Sequence, residues 1–162
     1  MIKTAILTIS DSCSKKQRQD ISGQTIEDIL LKNGFEVCEK RIVADDREKI
    51  VAELVYFSDK LNVDVLLTTG GTGLGPRDVT PEAAISVCEK IVPGLGELMR
   101  LKGLESTPNA VLSRSIAGIR KNTLIINLPG SPKAVRECLG VILDILPHAV
   151  DMMHGGGHRS GQ

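Results

Sequence analysis

The sequence predicts a three-layer αβα sandwich with a mostly parallel sheet and one late antiparallel hairpin. Strand-like and helix-like hydrophobic patterns alternate from the first residues of the 162-residue chain, which is typical of a parallel sheet covered by helices. Residues 63–69 are apolar almost throughout, as expected for a central strand buried on both faces. A chain of this length predicts a single domain, which we place at residues 1–151.

The first half of the chain predicts three strands and two helices. Ile26, Ile29 and Leu30 recur at helical spacing and predict a helix over 24–33, which stops at Asn33-Gly34. Asp46 is suited to cap a second helix that runs to about residue 60. The predicted strands of this half cover residues 3–10, 35–43 and 63–69.

The second half predicts three helices and a hairpin. Thr80-Pro81 and Ser131-Pro132 each place a hydroxyl at a helix N-cap and a proline at the first helical position. The predicted elements are helices over 80–92, 95–104 and 131–151, and strands over 110–118 and 123–128 joined by a turn at 119–122. The Gly-rich segment 152–162, which contains His154 and His158, is expected to be a flexible tail.

The composition argues against nucleic acid and anionic membranes as partners. Twenty basic and twenty acidic residues cancel, so no net charge attracts nucleic acid or an anionic membrane. The sequence shows no signal-like start and no apolar run near the roughly 20 residues of a membrane span. Its four cysteines form no Cys-x-x-Cys pair. We therefore expect a soluble, cytoplasmic protein with reduced thiols, among which Cys88 and Cys138 lie on buried helix faces.

Polar residues follow each predicted parallel strand at the point where the strand ends. In parallel α/β sheets, ligands bind in the crevice beyond the carboxyl ends of the strands. Because the chain lacks a basic patch, an anionic ligand there must be held by backbone amides and metal ions. The segments that meet this description are residues 10–12, 44–46, 69–78 and 128–132.

The segment after the third strand is rich in glycine and resembles a phosphate-binding loop. Glycines at 70, 71, 73 and 75 allow a ligand to approach the backbone, and the helix starts at Thr80 and Ser131 offer unpaired amides. The loop lacks the Gly-Lys-Ser/Thr ending of a P-loop, and no Gly-x-Gly-x-x-Gly opens the first helix. By itself, Gly-Gly-Thr-Gly is equally compatible with a plain tight turn.

Asp45 and Asp78 favour the phosphate site over the plain turn. A carboxylate near phosphate repels it unless a cation lies between them, and Mg²⁺ prefers one or two carboxylates completed by phosphates and water. The alternatives are that Asp45 favours a helix dipole and that Asp78 pairs with its neighbour Arg77. Together, at the ends of different strands, the two aspartates predict a Mg²⁺-assisted phosphate site.

Several short motifs, taken together, resemble the signature of a known family. Residues 69–73, Thr-Gly-Gly-Thr-Gly, precede residues 77–83, Arg-Asp-Val-Thr-Pro-Glu-Ala, as in the molybdopterin adenylyltransferases. This MogA/MoaB family also includes the G domain of gephyrin. The resemblance extends to about residue 151 and implies the molybdopterin-binding fold. Further matches in the same order are residues 8–11, 20–23, 112–115 and 128–132.

The resemblance implies a nucleotidyltransferase that moves AMP from ATP to the terminal phosphate of molybdopterin and releases pyrophosphate. Asp45 and Asp78 align with the family's catalytic aspartates and are the candidate Mg²⁺ ligands. Ala44 stands where the family often has proline, so Asp46 is a second candidate for the role of Asp45. The candidate residues for binding the phosphates of ATP and molybdopterin are Ser10, Asp11, Thr69, Gly70, Gly71, Thr72, Gly73, Thr80, Ser113, Arg114, Gly130 and Ser131.

The resemblance also implies a homotrimer or hexamer and a downstream partner that inserts molybdenum. Two alternatives stay open at this point. One is a non-catalytic family member that binds pterin or serves as an interaction module. The other is a stand-alone version of the related fold used for molybdenum insertion or in pterin-like nucleotide hydrolases. Those proteins are longer and have several domains, which disfavours the second alternative.

Overall fold

The computed structural model describes residues 1–156, and within them six strands form one mixed sheet. The sheet order is β2-β1-β3-β6-β5-β4. The first four strands in this order are parallel, whereas β5 runs antiparallel to β6 and β4 antiparallel to β5. The predicted fold class is therefore confirmed. The strands are β1 Lys3–Ile9, β2 Glu36–Val43, β3 Val65–Thr69, β4 Lys90–Ile91, β5 Ala117–Arg120 and β6 Thr123–Leu128.

Helices cover both faces of the sheet because its central strands are apolar on both sides. One core, which includes Ile6, Leu67 and Ile126, packs against α2, α5, α6 and α7, and the other packs against α3 and α4. The helices of the described residues are α1 Asp11–Ser14, α2 Ile21–Lys32, α3 Arg47–Val55, α4 Thr80–Val87, α5 Pro93–Leu104, α6 Pro132–Ile142 and α7 Leu146–Met153. Short turns of other types are the π-helix Tyr56–Lys60 and the 3₁₀ helices Pro108–Leu112 and Leu143–Ile145.

Side-chain caps satisfy amides at the starts of α2, α3 and α6. The carboxylate of Asp20 accepts from the Gly23 amide of α2 at 2.8 Å. Asp46 caps α3 through the Lys49 amide at 3.0 Å, and Ser131 caps α6 through the Ala134 amide at 3.2 Å. The caps predicted at Asp46 and Ser131 are confirmed. Each cap satisfies an amide that the first helical turn leaves unpaired.

The N-cap predicted at Thr80 is wrong. Val79 is the cap residue of α4, and the Thr80 hydroxyl instead donates to the Gly70 carbonyl at 2.9 Å. The helix also ends at Val87, earlier than predicted, and the two-residue strand β4 follows it. This strand forms because β5 offers a free edge for pairing, which sequence periodicity does not reveal.

The strand predicted over 110–118 is too long. Thr107 and Pro108 begin a 3₁₀ helix that ends at Leu112, and β5 starts only at Ala117. The predicted final helix is likewise divided, because Pro147 lacks the amide hydrogen that a continuous helix needs. The last helix, α7, reaches Met153, two residues beyond the predicted end of the domain.

The end of the described chain contacts the body of the protein. His154 follows α7, and its Nε2 lies 3.3 Å from Oδ1 of Asp64. This part of the predicted flexible tail is therefore placed, while His158 and the rest of 157–162 lie outside the described residues. None of the helices in residues 1–156 has the length and apolar character needed to cross a membrane.

The four cysteines, all in the described part of the chain, are free thiols. Cys138 is buried on α6, as predicted. Cys88 lies just after α4 and is only partly buried, which corrects the prediction for that residue. Burial raises the pKa of both thiols to about 11, so neither is a ready nucleophile.

We predict that Gly70→Ala destabilises the fold more than Gly34→Ala does. Both glycines have positive φ, +99° and +81°, but only at Gly70 does a Cβ meet an obstacle, the Ile9 carbonyl oxygen at 2.2 Å. Strain alone costs about 1–2 kcal/mol, and the backbone clash adds to it at Gly70. Urea unfolding of the two variants measures the difference. Equal losses at the two positions would contradict the predicted clash.

Candidate active site

Four strand ends meet at one edge of the sheet because the parallel strands are in register. Thr69 on β3 pairs with Thr8 on β1 and with Leu128 on β6, and Ile9 pairs with Val43 on β2. The segments that follow these strands therefore emerge side by side. At this edge of the described structure two neighbouring cavities open, in the place where the sequence predicted the ligand.

The first cavity has a volume of about 340 Å³ and lies between the starts of α2 and α6. Both helices direct unpaired amides and the positive end of the helix dipole toward this region, which suits an anion. The Ser22 hydroxyl donates to the Gly130 carbonyl at 2.6 Å and fixes one wall. The polar residues that line this first cavity include Thr8, Ser10, Arg18, Asp20, Ser22 and Ser131.

The second cavity, of about 500 Å³, lies on the other side of the loop after β6. Residues 71–74 of the glycine-rich loop form one wall, and Asp78 and Ser113 contribute polar groups. Gly130 and Ser131 line both cavities, so the two are adjacent. Two phosphate-bearing ligands bound in them would meet at the start of α6.

Thr80 holds the glycine-rich loop in shape. Its amide donates to the Gly71 carbonyl at 3.1 Å and its hydroxyl to the Gly70 carbonyl at 2.9 Å. Gly71 has φ +67°, and a Cβ there would lie 2.2 Å from the Thr80 hydroxyl and 3.2 Å from Oδ1 of Asp45. The loop backbone therefore passes directly beside the Asp45 carboxylate.

Asp45 and Asp11 hold one another through reciprocal hydrogen bonds. The Asp11 amide donates to Oδ2 of Asp45 at 2.9 Å, and the Asp45 amide donates to Oδ1 of Asp11 at 3.0 Å. Arg77 binds Asp11 in a bidentate manner, with Nε and Nη2 at 3.0 and 2.9 Å from its two oxygens. The alternative that Arg77 pairs with the neighbouring Asp78 is therefore wrong.

The surroundings of Asp45 and Asp11 shift the pKa values of these two carboxylates in opposite directions. Partial burial raises the pKa of Asp45, and repulsion from the Asp11 and Asp78 carboxylates adds to the effect. The hydrogen bond from Arg77 lowers the pKa of Asp11. The glycine-rich loop passes both predicted catalytic carboxylates, with Gly71 beside Oδ1 of Asp45 and with Gly73 and Gly75 beside Oδ2 of Asp78.

Asp78 and Arg114 complete the far side of the loop. Oδ2 of Asp78 accepts from the Gly75 amide at 2.9 Å. The Arg114 guanidinium donates to the carbonyls of Gly73 and Asp78 at 2.8 and 2.7 Å and pairs with Glu82. Arg114 thus supports the loop from behind.

Most of the predicted site residues come together. Ser10, Thr69 and Gly70 line the first cavity, and Gly71, Thr72, Gly73, Asp78 and Ser113 line the second. Asp11, Asp45, Thr80 and Arg114 are absent from the linings of the two cavities and surround the glycine-rich loop through the bonds described above. Asp46 is exposed and caps α3.

Asp20 and Ser22 line the first cavity, although the sequence alone did not predict them as site residues. Asp20 accepts from the Thr8 hydroxyl at 2.7 Å as well as from the Gly23 amide, so it joins β1 to the start of α2. A signal was present, because an aspartate that precedes a helical pattern is a preferred N-cap. Placing the cap in a cavity, however, required the position of α2 against β1.

Residues 1–156 contain no group of three or more His, Cys, Asp or Glu side chains arranged to hold a metal ion. A Mg²⁺ ion at this edge would therefore take two protein carboxylates at most, with phosphate and water as its other ligands. That donor set is the usual one for Mg²⁺. Oδ1 of Asp45, which faces the loop, and the carboxylate of Asp78 fit it.

Fold and site together define an α/β protein with two adjacent, anion-suited cavities at the carboxyl edge of its sheet. A family model described as a probable molybdopterin binding domain matches residues 5–148. The molybdopterin adenylyltransferase of Helicobacter pylori strain J99 is 46% identical over 95% of this chain and 89% of that protein. The enzyme of the same name from Escherichia coli K12 is 38% identical over 95% of this chain and 79% of its own.

Similarity to a solved structure points to the same family. The molybdopterin biosynthesis enzyme MoaB of Thermus thermophilus superposes with a TM-score of 0.90 at 47% identity, over 96% of this chain and 98% of that one. The chain therefore belongs to the molybdopterin-binding family that includes the molybdopterin adenylyltransferases.

We predict that Asp45→Asn stabilises the folded protein at neutral pH. Because the pKa of Asp45 is raised in the folded state, ionising it costs stability as pH rises above its ordinary value of 3.8. Asparagine removes this charge and can still accept from the Asp11 amide. Thermal unfolding should show a higher midpoint at pH 7, with the gain fading as the pH falls toward 3.8. Asp46→Asn, at an exposed cap, is the control and should leave the midpoint unchanged; a lower midpoint for Asp45→Asn would contradict the prediction.

Proposed function

We propose that the chain transfers AMP from ATP to the terminal phosphate of molybdopterin and releases pyrophosphate. The observation that carries this proposal is the position of the Asp45 and Asp78 carboxylates beside a glycine-rich loop, next to two adjacent cavities suited to phosphate. Support comes from relatives named molybdopterin adenylyltransferase that align along nearly the whole chain.

The reaction needs little covalent help from the protein. The molybdopterin phosphate oxygen attacks the α-phosphorus of ATP, a new P–O bond forms, and the bond to pyrophosphate breaks. Catalysis then consists of aligning two anions and neutralising their charge. The adjacent cavities give each ligand a place, and the Gly130–Ser131 turn lies between them. The amides of the glycine-rich loop and of the α6 start would hold the phosphates.

We assign a Mg²⁺ ion to Asp45 and Asp78. When bound, Mg²⁺ screens the phosphates and stabilises the charge that develops on pyrophosphate. Oδ2 of Asp45 is fixed by the Asp11 amide, which leaves Oδ1 toward the loop. Asp78 is anchored by the Gly75 amide. Both carboxylates are thus oriented before any ligand binds.

The two alternative functions are less well supported. A non-catalytic binding module would not need both carboxylates fixed beside the loop. A stand-alone insertion or hydrolase domain is disfavoured because the aligned relatives carry the name of the adenylyl transfer over most of their length. A molybdenum-inserting enzyme is the expected consumer of the product.

A homotrimer or hexamer is part of the proposal. The described surface offers an apolar recess of about 360 Å³ at the antiparallel end of the sheet, between α5 and α7. Met152 lies on it with half of its surface exposed, and Leu95, Leu98 and Ile119 form its floor. Covering this recess with another copy would remove apolar surface from water.

We predict that Asp78→Asn and Asp45→Asn each lower the rate of AMP transfer by about 100-fold or more while the protein stays folded. Asparagine keeps the size of the side chain but removes the charge that holds Mg²⁺. The measurement is transfer of labelled AMP from ATP to molybdopterin. Asp46→Asn is the matched control, because the Asp46 side chain is exposed and caps α3, whereas that of Asp45 lies beside the loop, and it should retain normal turnover. Normal turnover in Asp78→Asn would remove Asp78 from the mechanism.

We predict that Met152→Glu breaks the oligomer. A buried carboxylate in an apolar contact is strongly unfavourable, so light scattering after size-exclusion chromatography should show monomers. Ile85→Glu is the control, since Ile85 is 52% exposed on α4, against the opposite face of the sheet. A wild-type monomer, or an intact oligomer in Met152→Glu, would contradict this assignment of the recess.

A further inference from the structure

Asp11 uses both of its carboxylate oxygens within the protein. Oδ1 accepts from the Asp45 amide at 3.0 Å and from Nη2 of Arg77 at 2.9 Å, and Oδ2 accepts from Nε of Arg77 at 3.0 Å. A carboxylate engaged in this way has no strong interaction left for an anionic ligand, which it would repel in any case. The geometry points to a role that acts on neighbouring residues.

Asp11 and its two partners, Asp45 and Arg77, connect three segments of the chain. Asp11 follows β1, Asp45 follows β2, and Arg77 lies in the loop after β3, 66 residues from Asp11. Among the hydrogen bonds of residues 1–156, none joins Asp45 to Asp78 directly. Because Asp78 is the next residue after Arg77, the contacts Asp45–Asp11–Arg77 link the two proposed Mg²⁺ ligands, in addition to the bond that holds Asp78 at the Gly75 amide.

Asp11 and Arg77 also affect the total charge of the carboxylates at this edge of the sheet. Asp11 binds Asp45 through reciprocal hydrogen bonds, and the charges of Asp11 and Asp78 both act on Asp45. Arg77 compensates Asp11, so two negative charges remain, which equals the charge of one divalent cation. Without Arg77, the third carboxylate would repel incoming phosphates and offer a competing site for the metal.

We propose that Asp11 and Arg77 form a positioning pair that orients Asp45 and Asp78 for adenylyl transfer, and that neither residue binds substrate. The inference rests on the proposed function. It replaces the phosphate-binding role that the sequence suggested for Asp11. Arg77 is 65% exposed, and exposed ion pairs contribute little to stability, so the pair is better explained by orientation than by folding.

The test compares variants that remove the pair in steps. Arg77→Gln removes the guanidinium, Arg77→Lys keeps a charge without the bidentate fork, and Asp11→Asn keeps an acceptor for the Asp45 amide. We expect kcat to fall about 10- to 100-fold in Arg77→Gln and in Asp11→Asn, with Arg77→Lys between these and the wild type. The KM values for ATP and molybdopterin should stay within about threefold, as only the alignment of the proposed metal ligands changes. Arg136→Gln, at an exposed arginine of α6 outside both cavities, is the control and should leave kcat unchanged.

A second measurement does not depend on turnover. In ¹⁵N-labelled protein, the amide resonances of Asp45 and Asp11 report the reciprocal hydrogen bonds, and those of residues 71–75 report the loop. Arg77→Gln should shift both groups of resonances, whereas Arg136→Gln should shift neither.

The outcomes separate the two proposals. If the wild-type protein does not transfer AMP, the proposed function fails, and the resonances still decide whether Arg77 orients Asp45. If the wild type is active and either Arg77→Gln or Asp11→Asn keeps normal kcat, the positioning pair is wrong while the function stands. A rise in KM at unchanged kcat would show that these residues bind substrate directly and would also overturn the inference.

Discussion

The close approach of Gly70 to the end of β1 is the constraint on which the site depends. A side chain at this position would collide with the Ile9 carbonyl, so the chain leaving β3 can turn sharply against β1 only as glycine. This turn carries the following residues over the ends of β1 and β2, where Asp11 and Asp45 lie. It also leaves a cavity on each side of the loop after β6. The edge of the sheet therefore becomes a site because two backbones meet without side chains between them.

The electrostatics of the site are local because the whole chain has no net charge. Amides at the starts of α2 and α6 supply partial positive charge, and Arg77 neutralises one of three carboxylates. Asp45 remains half-buried among like charges, and its pKa is raised. The folded state thus tolerates an unfavourable ionised group that a bound cation would relieve, which is typical of functional carboxylates.

The fold class could be predicted from sequence because it depends on local patterns. Apolar runs identified the parallel strands, and polar residues directly after them predicted a ligand site at the edge where these strands end, which is where the structure places the two cavities. The partners of individual side chains could not be predicted in this way. Arg77 lies beside Asp78 in the sequence but binds Asp11, and Thr80 donates to the loop instead of capping its helix. These choices depend on how distant segments pack, as does the strand β4, which exists only through its pairing with β5.

The glycine-rich loop contains no lysine, and this bears on the role of the Asp45 and Asp78 carboxylates. A P-loop places a lysine on the phosphates, so its protein supplies positive charge directly. Here Asp45 and Asp78 lie beside the loop, and the guanidinium groups of Arg77 and Arg114 are already paired with Asp11 and Glu82. In the proposed reaction, a divalent cation shared by phosphate oxygens and these carboxylates would supply the further positive charge. A positioning pair that fixes the spacing of those carboxylates would then decide whether nucleotide, cation and acceptor phosphate fit together.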